Sequence, residues 1–460
     1  MTRRIMLNGF KSATIGHTAI GLWTHPDNNV REYGTLSYWI NTARTLERGL
    51  FDGLFIADAQ GIIDVYQGSI DITLREAIGV PILDPMVLVT AMAAATEHLG
   101  FAVTASTTYE RPFDLARKFA TLDLVTGGRV GWNIVTSSSR SEAENFGFRK
   151  IIPHDERYEI AHEFMEVVYK LWEYSWDDDA VVFDREKRTF IDPERVRRIE
   201  HHGRYFDVPG PFIVEPTPQR TPTLFQAGTS SAGLAFAARH AEGVFVSYPR
   251  IDMVRDYVRR LRAAAAEAGR APDSLKVFPL TTVITAPTDE EAQAKYEDFR
   301  RHRSLEGNLA RFSALTHIDM SKLDPDEPLR YVESDGIRGS LSVFTKADPT
   351  REWTPRQIAD FLSVSSMGAL IVGSPTTVAD QLEQWVEEAD VDGFNIADTL
   401  SSVSFPDFVD LVVPELQRRG RVWREYEGTT LRESFYGAGQ RRVRDDHPAA
   451  RYRQRDRATA

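Results

Sequence analysis

The feature that most constrains the fold of this 460-residue chain is an alternation of short β-branched or aromatic runs with segments of helical periodicity. Eight runs are candidates for buried strands: 4–9, 52–57, 100–105, 130–135, 223–227, 243–247, 277–284 and 393–397. Between the first two, Trp39, Ala43, Leu46 and Leu50 form one apolar stripe at helical spacing. Eight strands with intervening helices predict a parallel α/β fold, closed as a (β/α)8 barrel of the TIM type.

Two segments interrupt the alternation, and we expect them to be insertions in a single barrel domain that covers residues 1–440. The first, at about 137–222, follows strand four and contains no obvious barrel strand. The second, at about 286–374, follows strand seven and includes the exposed-looking Gly336-Ile-Arg-Gly339. Long insertions on a barrel commonly form lids or oligomer contacts. Residues 441–460 are rich in Arg and poor in large apolar side chains, which predicts a disordered or loosely docked tail.

The composition argues against several classes of protein. The chain has 55 Lys and Arg against 67 Asp and Glu, and its formal charge of −12 disfavours nucleic acid or an anionic membrane as a partner. It contains no Cys, which excludes disulfides, thiolate metal sites and a cysteine nucleophile, and favours a cytoplasmic location. The sequence shows neither a signal-peptide pattern nor the roughly 18 consecutive apolar residues of a membrane span.

Polar residues at the ends of the predicted strands are the first candidates for a functional site, because barrel active sites lie at the mouth formed by the strands' carboxyl ends. These residues are Asp58, Thr104, Asn133, Thr136, Gly228 and Ser247. A strand can end in a polar residue without any function. The set as a whole is therefore better evidence for a site than any one of its members.

The turn Phe225-Gln-Ala-Gly-Thr-Ser-Ser-Ala-Gly233 leads from a predicted strand into a predicted helix. Its backbone N–H groups, its hydroxyls and the helix dipole suit a phosphate, whereas N-capping by Ser230 or Ser231 explains the same residues without a ligand. The spacing matches neither a Walker P-loop nor a Gly-x-Ser-x-Gly nucleophile turn. His154 and Tyr158 stand four residues apart near a helix start, where they can hold an anion together or form a surface pair without function.

The histidines do not predict a catalytic metal. His162-Glu163 lacks the second His of a His-Glu-x-x-His site, and His201-His202 is flanked by charged residues. His17 and His25 are too far apart for the His-x-His pair of barrel hydrolases. We therefore assign no metal ligand from the sequence.

Several longer motifs carry a resemblance to a known family. They are Gly16-His-Thr-Ala-Ile-Gly-Leu-Trp-Thr-His-Pro26, Phe51-Asp-Gly-Leu-Phe-Ile-Ala-Asp58, Thr104-Ala-Ser-Thr-Thr-Tyr-Glu-Arg-Pro-Phe-Asp-Leu-Ala-Arg117, Gly127-Gly-Arg-Val-Gly-Trp-Asn-Ile-Val-Thr136, Asn145-Phe-Gly147, His154-Asp-Glu-Arg-Tyr158, Phe225-Gln-Ala-Gly-Thr-Ser230 and Asp392-Gly-Phe-Asn395. Together they resemble the two-component flavin monooxygenases of the bacterial luciferase superfamily. The nearest subgroup contains nitrilotriacetate monooxygenase, dibenzothiophene sulfone monooxygenase, pristinamycin synthase and long-chain alkane monooxygenase, and the similarity covers about residues 4–433.

The resemblance implies a barrel that binds reduced FMN at its mouth and receives it from a separate NAD(P)H:flavin reductase. One atom of dioxygen would then pass to a small organic substrate, while the other leaves as water. The implied cofactor-binding residues are Asp58 and Thr104 at the flavin ring, His154, Tyr158 and Ser230 at the ribityl phosphate, and, with a weaker match, Ser137 and Gly228. His17 and His317 are candidate catalytic groups, since an imidazole near the reacting centre can donate a hydrogen bond or move a proton.

Two alternatives stay open at this point: an oxidoreductase of the same superfamily that transfers hydride with the deazaflavin F420, and a non-catalytic flavin-binding barrel. One departure from the family pattern bears on the substrate. Where that pattern often reads Ala-Trp-Arg-His-Pro, this chain has Leu22-Trp-Thr-His-Pro26, so that Thr24 replaces a charged residue and an anionic substrate is less expected. The resemblance further implies a homodimer or a homotetramer.

Overall fold

The computed structural model describes residues 3–329, 344 and 352–453. Its centre is a closed barrel of eight parallel strands: β1 Met6–Ser12, β2 Gly53–Ala57, β3 Gly100–Ser106, β4 Val130–Val135, β9 Thr223–Gln226, β10 Gly243–Val246, β11 Lys276–Thr285 and β13 Gly393–Ala397. Each pairs with the next in that order, and β1 pairs with β13, so that Asn8 lies opposite Asn395 and the sheet closes. The predicted barrel is confirmed, and all eight predicted runs coincide with its strands. The bounds differ most for β1, which begins and ends later than the predicted 4–9.

Helices surround the barrel. In chain order they are α1 Leu36–Arg48, α2 Asp71–Arg75, α3 Pro85–Ala94, α4 Pro112–Val125, α5 Arg140–Asn145, α6 His154–Tyr169, α7 Ser231–His240, α8 Ile251–Glu267, α9 Asp289–Arg301, α10 Leu305–Thr316, α11 Pro355–Ser365, α12 Pro375–Ala389, α13 Ser404–Asp407, α14 Val413–Arg418 and α15 Leu431–Tyr436. The stripe predicted for α1 is buried at Trp39, Ala43 and Leu46. Leu50 lies beyond the helix end at Gly49, with φ 55°. No helix in the described part of the chain is both long and apolar enough to cross a membrane.

The two insertions carry small strands of their own. The first contains two antiparallel hairpins, β5 Val181–Asp184 with β6 Thr189–Ile191 and β7 His201–His202 with β8 Asp207–Val208, and adds no strand to the barrel. The second contains β12 Ala369–Gly373, which pairs in parallel with the end of β11 on the outside of the closed ring. Strand β12 is not among the eight predicted runs. The stretch Gly336–Gly339 lies outside the described residues, and the domain bounds stay a prediction.

Aromatic side chains fill the barrel interior, because alternate residues of each strand point inward. The ring centroids of Phe10 and Phe245 are 5.1 Å apart, and those of Phe55 and Phe245 are 5.5 Å apart. The C-terminal helix α15 closes the amino-terminal end of the barrel, where Leu431 and Phe435 join the interior cluster. Gly100 at the start of β3 leaves room for this helix, since a Cβ atom there would lie 2.4 Å from Leu431 Cδ1.

A buried ion pair and a docked C-terminal segment complete the barrel floor. Arg432 of α15 is fully buried, and its Nε donates to Glu242 Oε1 at 2.7 Å. Val443 and Ala449 are buried, and His447 Nε2 donates to the backbone oxygen of His240 at 2.8 Å. Residues 441–453 of the segment predicted to be a disordered or loosely docked tail are therefore docked against the domain in the structure. Residues 454–460 lie outside the described residues.

Candidate active site

The carboxyl ends of β2, β3 and β4 carry the first group of polar side chains at the barrel mouth. Thr104 Oγ1 donates to the backbone oxygen of Ile56 at 3.0 Å and accepts from Asn133 Nδ2 at 2.8 Å. Asn133 is buried, and its Oδ1 has no hydrogen-bond partner among the described residues. Because unsatisfied buried acceptors are costly, this oxygen marks a place where a ligand N–H or O–H group would fit.

Asp58 follows β2 and lies on a cavity of about 430 Å³ at this side of the mouth. Burial raises the pKa of Asp58 to about 7, and the nearby carboxylates of Asp84, Glu142 and Glu110 add to the rise. Burial also raises the pKa of Glu142. At neutral pH the Asp58 carboxyl is therefore about half protonated, so that it can donate a hydrogen bond as well as accept one.

Ser137 lies in the turn that follows β4. Its Oγ is 3.0 Å from Glu142 Oε1 and 3.0 Å from Ser106 Oγ. Its φ of 45° is unusual for a residue with a side chain. The guanidinium of Arg157, on α6, donates to the Ser137 backbone oxygen and fixes this turn from below. Neither Glu142 nor Arg157 was predicted as a site residue.

Ser230, His154 and Tyr158 form a second group, at the amino-terminal end of α7. Ser230 is the N-cap, and its Oγ accepts from Gly233 N at 3.0 Å, which confirms the N-capping interpretation of this serine. The same oxygen lies 3.3 Å from His154 Nε2, and the rings of His154 and Tyr158 are 5.2 Å apart. Ser230 therefore caps α7 and also lies in one cluster with His154 and Tyr158.

Two glycines shape this second group into a cradle. A Cβ atom on Gly228 would lie 2.9 Å from Gly233 Cα, and a Cβ atom on Gly233 would lie 2.8 Å from Tyr158 Oη. Burial raises the pKa of Tyr158, so that its phenol stays protonated and can donate. A phenol, an imidazole, a hydroxyl and a helix N-terminus, brought together by close packing at two glycines, suit a phosphate monoester.

The two predicted catalytic histidines come from other segments, the loop after β1 and the end of α10. His17 follows β1, its ring is 5.3 Å from that of Phe10, and its Nδ1 has no hydrogen-bond partner among the described residues. Burial lowers the pKa of His17 well below 6.5, with a further contribution from Arg311, and the imidazole is therefore neutral at pH 7. His317 ends α10 in the left-handed conformation, with φ 56°. That position terminates a helix, and a catalytic role for His317 stays a prediction.

Lys11 and Asp398 form a buried ion pair next to His17 that the sequence analysis missed. They line a small cavity of about 20 Å³ together with His17 and Ser401. Ser401 Oγ lies 3.0 Å from Lys11 Nζ and 2.7 Å from Asp398 Oδ2, and Tyr38 Oη donates to Ser401 Oγ at 2.9 Å. Burial opposes the lysine charge, but Asp398 and Tyr38 outweigh it and raise the pKa of Lys11. The available signal was a polar residue directly after the predicted strand 393–397.

Comparison with known protein families gives a match to luciferase-like monooxygenases over residues 18–393. The chain is 47% identical to dimethyl-sulfide monooxygenase of Hyphomicrobium sulfonivorans over 98% of this chain and 94% of that protein. It is 39% identical to nitrilotriacetate monooxygenase component A of Aminobacter aminovorans over 90% of this chain and 92% of that protein. These relatives confirm the resemblance to the two-component subgroup.

Solved structures of similar proteins have the same fold as this chain. DmoA from Hyphomicrobium sulfonivorans superposes with a TM-score of 0.92 over 98% of this chain and 96% of that chain. Riboflavin lyase, solved with modified FMN and riboflavin, also gives 0.92, at 36% identity over 98% of this chain and 100% of that chain. An F420-dependent secondary alcohol dehydrogenase gives 0.55 at 14% identity over 89% of this chain and 98% of that chain, which is a likeness of fold alone.

Proposed function

Because the chain belongs to the luciferase-like monooxygenase family, we propose that this oxygenating enzyme uses reduced FMN as a dissociable cosubstrate to oxygenate a small organic molecule. The FMN would come from a separate NAD(P)H:flavin reductase, as the name "component A" of one relative suggests. The observation that carries the proposal is the cradle at Gly228 and Gly233 beside a mouth with an unpaired buried acceptor. The F420 alternative has support only at the level of fold.

The residues present fit FMN at both of its polar ends. Ser230, His154 and Tyr158 would hold the phosphate in the cradle, and the lack of a side chain at Gly228 lets the turn pack closely against Gly233. At the other group, Asp58, Thr104 and Asn133 would face the polar edge of the ring system, and Ser137 would support Glu142 next to them. When bound, reduced FMN supplies the two electrons and the reaction with dioxygen.

The chain's own residues provide the surroundings for that chemistry. The packed rings of Phe10, Phe55 and Phe245 form an apolar layer beneath the mouth, which keeps water from the lower side. The Asp58 carboxyl, with its pKa near 7, holds or releases a proton close to the working pH. His17, neutral because burial lowers its pKa, offers Nδ1 as a hydrogen-bonding atom beside the mouth.

The charge around the cavity indicates the substrate class. Five of the side chains that line it carry carboxyl groups, Asp58, Asp84, Glu110, Asp114 and Glu142, and two are cations, Arg117 and Lys118. Thr24 stands where the family pattern described above often has Arg, so that the loop after β1 supplies no further cation at this position. We propose an uncharged organic substrate, since the carboxyl groups around the cavity outnumber the two cations and disfavour a polycarboxylate. The cytoplasmic location and the homo-oligomeric state stay predictions.

Anaerobic titration with reduced FMN, followed by rapid mixing with oxygenated buffer, tests the proposal. Tyr158→Phe removes one donor to the phosphate and should weaken binding by about tenfold, the usual loss for one hydrogen bond to a charged group. Ser231→Ala, an exposed position in the first turn of the same helix, serves as the matched control and should bind like the wild type. Absence of binding by the wild-type protein, or equal binding by all three proteins, would contradict the assignment. Binding of reduced F420 instead would support the alternative.

A further inference from the structure

A cluster of three side chains lies where the loop after β1 meets the end of α9. His25 Nε2 is 3.0 Å from Asp298 Oδ2, and the rings of His25 and His302 are 4.7 Å apart. One potential ligand atom from each of the three residues lies within 4.8 Å of the other two. We propose that His25, Asp298 and His302 bind one divalent transition metal ion, such as Zn²⁺. Such an ion would link the two segments.

The ligands are oriented before any ion arrives. His25 is 5% exposed, and its Nδ1 accepts from the backbone N–H of Asp27 at 3.1 Å, so that Nε2 carries the ring proton and directs it at Asp298. An ion would replace that proton at Nε2, and Nδ1 would then carry the proton in place of its contact with Asp27. Thr24 Oγ1 lies 3.1 Å from His302 Nδ1, and the edge of Phe299 packs against His25 with centroids 5.6 Å apart. The second nitrogen of a ligating imidazole usually donates to an oxygen, as His302 Nδ1 can to Thr24 Oγ1, whose own proton goes to the backbone oxygen of Gly21 at 2.8 Å.

The two chain segments that supply the ligands are also held in close contact. Gly21 has a φ of 98°, and a Cβ atom there would lie 2.5 Å from Ser304 N and 2.6 Å from His302 O. Ser304 N donates to the backbone oxygen of Ile20 at 3.0 Å. Little conformational freedom is therefore lost when an ion joins the segments, which favours binding.

The donor set selects the class of metal. Two imidazoles and one carboxylate suit Zn²⁺, Co²⁺ or Ni²⁺ better than Mg²⁺ or Ca²⁺, which prefer oxygen ligands. The side chain of Asp298 is 38% exposed, so that an ion can enter from solvent. The guanidinium of Arg301 pairs with the other oxygen of Asp298 and acts as a competing cation. Removing Arg301 should therefore strengthen metal binding, whereas removing a ligand should abolish it.

A short turn connects the proposed metal site with the small cavity next to His17. Leu22 and Trp23 line the small cavity that also contains Lys11 and His17. His25 follows directly after the 3-10 turn Leu22–Thr24. An ion held by His25 would fix this turn against α9. We assign the ion a structural role, with no part in oxygen transfer.

Isothermal titration of chelator-treated protein with Zn²⁺ tests the site, with the visible spectrum of Co²⁺ as a second readout. The expected result is one ion per chain and a rise in the thermal unfolding midpoint. His302→Gln should lower the affinity by more than about 100-fold, and Thr24→Val by about 10-fold. Arg301→Ala should raise it by about threefold, in keeping with the loss of one exposed ion pair.

His202→Gln is the matched control, because this exposed histidine also lies near carboxylates, at 3.0 Å from Asp207 Oδ1. Its affinity for Zn²⁺ should equal that of the wild type. Circular dichroism of each variant shows whether a loss of binding reflects unfolding, and the gain expected for Arg301→Ala cannot arise from unfolding. The proposal is overturned if the wild type shows no saturable binding, or if binding persists in the double variant His25→Gln/His302→Gln.

Discussion

Replacement of Asp58 by Asn should stabilise the flavin-free protein, and the gain should grow with pH. Burial raises the pKa of this carboxyl from 3.8 to about 7, so that the folded protein keeps the proton over a range in which the unfolded chain releases it. Between these two values the unfolded state binds fewer protons, and stability therefore falls as the pH rises. The penalty is complete above about pH 7. Asn cannot ionise, and the variant avoids the penalty.

The size of the effect follows from the shift. A change of about 3 pKa units at about 1.4 kcal/mol per unit gives an upper bound of about 4 kcal/mol. Asp58 is only partly buried and faces a cavity that is open to solvent, which screens the charges and reduces the expected gain to about 2 kcal/mol. In a chain of this length, that corresponds to an increase of about 2 °C in the thermal midpoint.

Two measurements check this prediction. Thermal midpoints of the wild type and Asp58→Asn, recorded from pH 5 to pH 8.5 without flavin, should diverge as the pH rises and then stay at a constant difference. A difference proton titration of the two native proteins should show one group with a midpoint near 7. Asp273→Asn removes an exposed carboxylate and should give a difference that does not vary in this way. A titration midpoint near 4, with a pH-independent difference in thermal midpoint, would refute the burial argument.

Two further predictions concern the barrel floor and acid stability. Phe435→Ala leaves a void between α15 and the barrel and should lower the free energy of unfolding by about 3–5 kcal/mol; Phe148→Ala, at a site 37% exposed, should cost far less in the same thermal scan. Burial lowers the pKa of His162 to about 4 and of His447 to about 3, so that both are neutral when folded. Because the unfolded histidines take up protons near pH 6.5, stability should fall from pH 6.5 to pH 4, and His447→Asn should flatten that fall.

The barrel was predictable because its strands are buried on both faces, so that they read as continuous apolar runs. The helix α1 was predictable because its apolar residues recur at helical spacing. The predicted stripe wrongly included Leu50, since this spacing does not show that the helix ends at Gly49. Strand β12 was missed because it lies inside an insertion, where no alternation of strands and helices leads one to expect it.

The residues of the candidate site also differ in whether they could be predicted from the sequence. Ser230, His154 and Tyr158 could be predicted because each has a local signal, at a helix start or at a strand end. Glu142 and the pair of Lys11 with Asp398 could not, since their meaning depends on partners far along the chain. The sequence alone does not show which other residue a charged side chain at the end of a strand will contact. Closure then sets β1 beside β13 and brings Lys11 to Asp398.

The C-terminal segment shows why composition alone can mislead about order. A short Arg-rich stretch cannot build a core of its own, which is the basis for predicting disorder. It needs none when the rest of the domain supplies a surface, because Arg442 and Arg453 pair with Asp178 at 2.8 Å and Glu173 at 3.2 Å. Val443 and Ala449 then bury their side chains against the rest of the domain and hold the segment in place. Composition therefore predicts whether a segment can fold by itself, whereas docking depends on the charge and shape of the surface it meets.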